Sequence, residues 1–265
     1  MVEGTRRISF QNVQESGALL TAGLPILVYH KIARRPPAAK WRSLYLSPAL
    51  FSRHMEGLAQ AGFSTTSLAS PFPETGNLQR KFVLTFDDGY RNVLQHATAV
   101  LARHGFTAIQ FLVCDEIGGT NAWDVAAGEV SAPLMSEGDI RAWCAAGHEI
   151  GSHTCSHPRL TQLNRPQQAR EIADSKRRLE DMFGVPVRHF CYPYGDFSQS
   201  VAEVVAEAGY ATACTLLGGV NNASTARFEL RRIEGRYPRR NLRTFLQRLL
   251  HLVRKPSQGK PQRCS

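Results

Sequence analysis

Two carboxylates side by side, and two imidazoles four residues apart, are the residues of this sequence best suited to chemistry. Asp87 and Asp88 close the apolar run "KFVLTFDDGY", and His153 and His157 stand in "GSHTCSHPRL". Like charges placed together need a common partner. Two neutral imidazoles and one carboxylate form a three-ligand set for Zn²⁺, with a position left for water. The remaining aspartate is then free to act as a base. Adjacent residues point in different directions, so one ligand and one base is a natural division of labour. A cation nearby also explains how both carboxylates stay ionised. Taken singly, an Asp-Asp-Gly is most often a turn with a helix cap, and a His-x₃-His an accident of sequence. Both patterns at the ends of two different strands favour a site.

The elements that would position these residues recur along the chain. Seven short apolar or β-branched runs occur: "PILVY" (25–29), "KFVLTF" (81–86), "AIQFLV" (108–113), "HEIGSH" (148–153), "RHFCYP" (188–193), "ATACTL" (211–216) and "LRRIE" (230–234). Helical segments fall between them. The segment 47–62 has Ser47 as N-cap, Pro48 in the first turn and Gly62 as its stop. Segments 90–105 and 164–184 show helical apolar spacing and end on Gly105 and Gly184, and 200–210 repeats this in brief. Strands alternating with helices predict a parallel sheet, and seven of them predict a closed or nearly closed α/β barrel rather than an open doubly wound sheet, expected as a single domain. Working residues of such barrels sit at strand ends. Here those ends carry His30, Asp87, Asp88, His153, Tyr192 and Tyr194.

Composition narrows the function classes. The chain has 265 residues, 43% hydrophobic and 20% charged, with a net charge of +10. That charge is local: residues 231–265 hold eleven Lys/Arg and one acid, whereas residues 1–230 hold 21 of each sign. A neutral body gives no support to a nucleic-acid-binding face, so no nucleic-acid partner is expected. No apolar run approaches the ~20 residues of a membrane span. The first 30 residues lack the pattern of a signal peptide, and the six cysteines form no CxxC pair. The expectation is reduced thiols and a cytoplasmic protein, or one peripheral to the inner membrane face.

"TFDDGY" together with "SHTCSHP" resembles the polysaccharide deacetylases of carbohydrate esterase family 4, over roughly Pro25 to Glu234. The resemblance implies a distorted (β/α)₇ barrel and a metal-dependent N-deacetylase acting on an amino-sugar-containing glycan or its precursor. It further implies Asp87 as general base and Asp88, His153 and His157 as ligands of one divalent metal. Zn²⁺ is the default metal, and Co²⁺ or Ni²⁺ also suits the ligands. "HFCYPYGDF" resembles the third motif, except that Cys191 stands where the family has an arginine that orients the base, so another group must take that part. "PILVYHKI" and "GGTNAWD" resemble the poly-N-acetylglucosamine deacetylase branch. In that branch Tyr192 would offer its N–H to the oxyanion, and Tyr194 would wall the cleft. Trp123 would stack on a sugar, and Asn121 and Asp124 would bond its hydroxyls.

The family's last two motifs are missing. His30, at the end of the first strand, is therefore the expected general acid, with His251 of "LLHL" as its rival. Deformylation, O-deacetylation and a catalytically silent glycan-binding module are the alternative readings. The expected organisation is an extension (1–24), a catalytic domain (25–238, homology core about 80–238) and a basic amphipathic tail (239–265). The tail is expected either to dock on the barrel or to touch an anionic membrane carrying a lipid-linked N-acetylated saccharide.

Overall fold

The computed structural model describes residues 23–68 and 80–235. All seven runs form strands of one closed parallel barrel. These are β1 (Ile26–Tyr29), β5 (Lys81–Phe86), β6 (Ile109–Leu112), β7 (Glu149–Ser152), β8 (His189–Cys191), β9 (Thr212–Gly218) and β10 (Leu230–Glu234). They pair in the order β1–β10–β9–β8–β7–β6–β5, and β5 returns to β1. Two short parallel strands, β2 (Lys31–Ile32) and β3 (Tyr45–Leu46), lie outside the ring, and β4 (Ser64–Thr65) lines the outer edge of β5. The expected single-domain (β/α)₇ barrel is therefore the fold.

Strand alternation sorts the side chains into two apolar cores. Val83, Ile109, Phe111, Cys191, Cys214 and Leu230 belong to the smaller cluster, which fills the barrel. Phe82, Leu84 and Phe86, on the other face of β5, join the larger cluster beneath the helices. On β5 the inward series Val83, Thr85 continues to Asp87, which brings that carboxylate over the barrel core. The space inside is tight at Gly151 of β7. A Cβ there would stand 2.5 Å from the Phe111 ring and 2.9 Å from the carbonyl oxygen of His189.

The helices start and stop where local chemistry dictates. Helix α1 (Pro48–Gln60) is capped by Ser47 Oγ, which accepts from the Leu50 N–H. Helix α2 (Arg91–His104) ends on Gly105 at φ 64°. Two further helices were not expected. One is the short α3 (Ala122–Ala126). The other is α4 (Glu137–Ala145), announced by a Ser136/Asp139 capping box. Helix α5 follows an Asn164/Gln167 capping box and runs through Arg165–Ala169, one π turn at Arg170–Asp174, and Ser175–Phe183. Helix α6 (Gln199–Glu207) precedes β9. Residues 1–22 and the tail (239–265), with His251, lie outside the described residues. Among the described residues, no helix is long and apolar enough to cross a membrane.

Replacing Gly151 by alanine forces the Phe111 ring or the β7–β8 pairing to move. Urea unfolding of Gly151→Ala should show a loss of about 1–3 kcal/mol, the usual cost of overpacking.

Candidate active site

Each strand hands its last residues to the rim of the barrel by extending the sheet ladder one step. The Asp87 N–H donates to the Tyr29 carbonyl (3.0 Å) and the His153 N–H to the Leu112 carbonyl (2.8 Å). Beyond that step the backbone turns sharply. Asp88 sits at φ 73°, Thr154 at 73°, His157 at 64° and Tyr194 at 60°. These are four of the five left-handed non-glycine residues among those described; Asp88, His157 and Tyr194 line one cleft, and Thr154 follows His153, which lines it too. Such conformations cost of order 1–3 kcal/mol each and persist only where neighbours over-determine them. At Asp88 the turn swings the second carboxylate away from the first.

The cleft has a volume of about 280 Å³ and is walled in part by His30, Asp87, Asp88, Trp123, His157 and Tyr194. Asp88 faces both imidazoles: its Oδ1 lies 3.3 Å from His153 Nε2 and 3.5 Å from His157 Nε2. The three residues are buried, and their donor atoms lie within 4.8 Å of one another. His153 Nδ1 bonds the Cys191 carbonyl at 2.7 Å. As the donor in that bond it keeps its hydrogen and leaves the Nε2 lone pair facing Asp88. Burial alone would raise the pKa of Asp88, but the bonds from His153 and His157 outweigh it and hold the carboxyl well below the usual carboxylate range.

The loop carrying the imidazoles is anchored from α5. Glu171, in the π turn, accepts from the N–H groups of Cys155 (2.9 Å) and Ser156 (3.0 Å) and from Ser156 Oγ (2.7 Å). Ring contacts complete the support. Trp123 stacks on His157 at 4.6 Å and 23°, and Tyr194 meets the same imidazole edge-on at 4.6 Å.

Asp87 is held quite differently, and sequence reasoning missed its partner. Arg232 of β10 grips it with both arms: Nη1 donates to Oδ1 at 2.7 Å and Nη2 to Oδ2 at 2.8 Å. The guanidinium also reaches Thr215 O through Nε (2.8 Å), Thr85 Oγ1 (3.3 Å) and Cys191 Sγ (3.1 Å). All five of its N–H donors are therefore used in a site where Arg232 is 2% exposed. Cys191 occupies the third-motif arginine position, and its small side chain leaves room for a guanidinium from the last strand. Burial would raise the pKa of Asp87, but the charge and hydrogen bonds of Arg232 reverse that and lower it. A clue stood in "LRRIE": in a half-buried strand one of two adjacent arginines must point inward, and a buried arginine needs an acid.

His30 lies at the mouth, with its Nε2 3.8 Å from Asp87 Oδ2. The pairing of β1 with β10 places it beside the last strand. Asp124 lines the cleft and accepts from Tyr90 Oη at 3.0 Å. Two assignments change. Asn121 does not reach the cleft: it is fully buried, its amide donating to Val130 O and its oxygen accepting from the Ala132 N–H. It braces the 121–132 loop instead of bonding a sugar. The Tyr192 N–H is already spent on Cys214 O (3.1 Å), and its hydroxyl donates to Phe228 O (3.0 Å). Tyr192 lines the cleft but has no hydrogen free for an oxyanion.

Removing Arg232 should leave a buried carboxylate without its counter-charge. Arg232→Met is expected to lose about 3–5 kcal/mol of stability. Asp87, with its lowered pKa, contributes stability that is present above the ordinary value of 3.8 and is lost as pH falls through the depressed one. In Arg232→Met that contribution disappears, so the difference in unfolding free energy from wild type should be large at pH 7 and shrink below pH 4. For Glu171→Ala, titration calorimetry with Zn²⁺ should show affinity weakened about 10–100-fold, the usual effect of losing a group that supports ligands.

Comparison with known proteins places this geometry. The model of the polysaccharide deacetylase family matches residues 75–213. YxkH of Bacillus subtilis, which bears a polysaccharide deacetylase name, is 27% identical over 221 residues, covering 80% of this chain and 71% of that protein. The chitooligosaccharide deacetylase of Sinorhizobium fredii is 32% identical over 143 residues, 52% of this chain and 58% of its own length. Among solved structures, the Streptococcus pyogenes deacetylase PplD in complex with acetate superposes with a TM-score of 0.74 at 21% identity, over 88% of this chain and 99% of that one. IcaB from Ammonifex degensii gives 0.70 at 22% identity, over 88% and 98%. At these identities the solved structures speak for the fold alone. With the family model covering more than half of its length, the chain belongs to the polysaccharide deacetylase family.

Proposed function

We propose that the protein is a metal-dependent hydrolase that removes N-acetyl groups from an amino-sugar-containing glycan or glycan precursor, giving acetate and a free amine. The observation that carries this reading is the division of the two adjacent aspartates. Asp87 is locked and ionised against Arg232, while Asp88 faces His153 and His157 in the same cleft. The donor set fits one divalent ion: three buried ligands of mixed nitrogen and oxygen type, one imidazole tautomer fixed by Cys191 O, and two imidazoles that alone face the Asp88 carboxylate. Asp88, His153 and His157 would hold it, with Zn²⁺ the default and Co²⁺ or Ni²⁺ as alternatives. Such an ion supplies Lewis acidity, polarising the acetamide carbonyl and acidifying a water.

The protein's own groups do the proton work. Asp87 accepts a proton from the attacking water, whose oxygen bonds to the acetyl carbon. Arg232 fixes the carboxylate in position, so no reorganisation is needed as charge shifts. His30, on the other side of Asp87, gives a proton to the nitrogen as the C–N bond breaks. The oxyanion donor in this reading is the N–H of Tyr194, held by its left-handed backbone at the cleft. The ring of Tyr194 and that of Trp123 flank the sugar, with Asp124 bonding a hydroxyl.

Asp88→Ala, His153→Ala and His157→Ala should each lose metal by elemental analysis. Asp87→Asn should keep metal and lose acetate release from an N-acetylated oligosaccharide. Retention of near-normal turnover by Asp87→Asn would remove Asp87 as the base. His30→Ala should slow release ~10²–10⁴-fold with metal content unchanged. Parallel assays on O-acetylated and N-formylated saccharides separate amide deacetylation from the alternative hydrolyses.

A further inference from the structure

A second cavity of about 300 Å³ lies outside the barrel mouth and is lined by three arginines, Arg34, Arg35 and Arg42, together with Tyr45, Leu46 and Ser47. No carboxylate lines it. The segment it belongs to is strongly basic: residues 30–55 hold six Lys/Arg and no Asp or Glu. Two of those charges are accounted for within the fold. Lys31 is buried 3.7 Å from Glu129, and Lys40 donates to Ala127 O and lies over the Trp41 ring. The three cavity arginines differ. Among the described residues none has a carboxylate within ion-pair distance, and the one side-chain hydrogen bond they make, Arg35 Nη1 to Ala39 O, is long at 3.5 Å. Elsewhere on the surface Arg91, Arg165, Arg177 and Arg178 pair with an acid, whereas others such as Arg53 and Arg103 form no ion pair among the described residues. What distinguishes Arg34, Arg35 and Arg42 is that all three line one concavity, at the Ser47-capped start of the 13-residue α1, whose first turn holds no acidic residue. Planar guanidinium forks match the oxygens of a phosphate, and the N-terminal helix dipole adds to the attraction.

The position of the cavity relates it to the reaction. Its walls Tyr45 and Leu46 also line a small lobe that shares His30, Ser43, Leu44 and Leu216 with the active cleft. The 43–46 segment thus borders the active cleft, this lobe, whose lining also includes Glu234, and the arginine cavity. We propose that this cavity holds a phosphate group carried by the saccharide substrate, so that the enzyme acts on a glycosyl phosphate or diphosphate in preference to a neutral glycan. The proposal rests on the deacetylase reading above and adds to it the charge class of the substrate.

The test uses the full-length, metal-loaded protein and its Arg34→Gln/Arg42→Gln variant, with the single variants and circular dichroism to confirm folding. Calorimetry with inorganic pyrophosphate should give saturable binding that weakens at least about tenfold in the double variant, the loss expected for one or two charge-assisted bonds. An N-acetylated oligosaccharide bearing a terminal 1-phosphate should show a KM about tenfold below that of its neutral counterpart. In the double variant this advantage should vanish, with kcat on the neutral saccharide unchanged. Equal pyrophosphate binding by both proteins, or equal KM for the two saccharides, overturns the proposal. Binding of phosphatidylglycerol vesicles but not of pyrophosphate, lost in the variant, would assign the arginines to a membrane surface and overturn it as well. Should neither saccharide be hydrolysed, the deacetylase reading fails on its own. Direct binding of the phosphorylated against the neutral saccharide then still decides what the cavity holds.

Discussion

The bidentate pair between Arg232 and Asp87 is the interaction on which the rest of the site depends. Asp87 lies over the apolar interior of the barrel, where burial favours its neutral form. Only a full counter-charge at hydrogen-bond distance reverses that preference. The guanidinium does so without leaving any of its own donors unmet, since Thr85, Thr215 and Cys191 accept the hydrogens that Asp87 does not. The pair therefore avoids the usual weakness of buried ions, in which desolvation exceeds the mutual attraction. Its fixed geometry also separates the two aspartates in function: one is committed to arginine, and the other is left to the imidazoles.

The imidazole loop meets a different constraint. Four left-handed residues store strain around the cleft, and the structure retains them because the surroundings allow no relaxation. Glu171, in the π turn of α5, ties down two backbone N–H groups between His153 and His157. Irregular helix turns of this kind often mark functional sites. Here the irregularity lies on the supporting helix and not on the loop that carries the imidazoles.

How much of this could be read from the chain follows from the range of each interaction. The seven strands were legible because each is a short apolar run with turn or helix sequence on either side, a local signal. Asp87, Asp88, His153 and His157 were legible as candidates because donors at fixed spacing announce a shared purpose. Arg232 was not assigned, since its partner is 145 positions away and the third-motif position where an arginine was sought holds a cysteine. Asn121 misled for a related reason. An asparagine beside a tryptophan looks like a sugar ligand, but its amide is consumed by the backbone at Val130 and Ala132, which spacing cannot reveal. Tyr192 failed on hydrogen-bond accounting as well: the β8–β9 ladder continues one residue further than the strand pattern suggests and takes its N–H.

The origin of Arg232 in the last strand also bears on how the protein is made. During synthesis Asp87 leaves the ribosome well before its counter-charge, so for most of translation the nascent barrel holds an acid it cannot comfortably bury. Closure of β10 against β1 completes the sheet and brings Arg232 to Asp87 in one event. Chains that end before residue 232 lack both the seam of the barrel and the partner of Asp87.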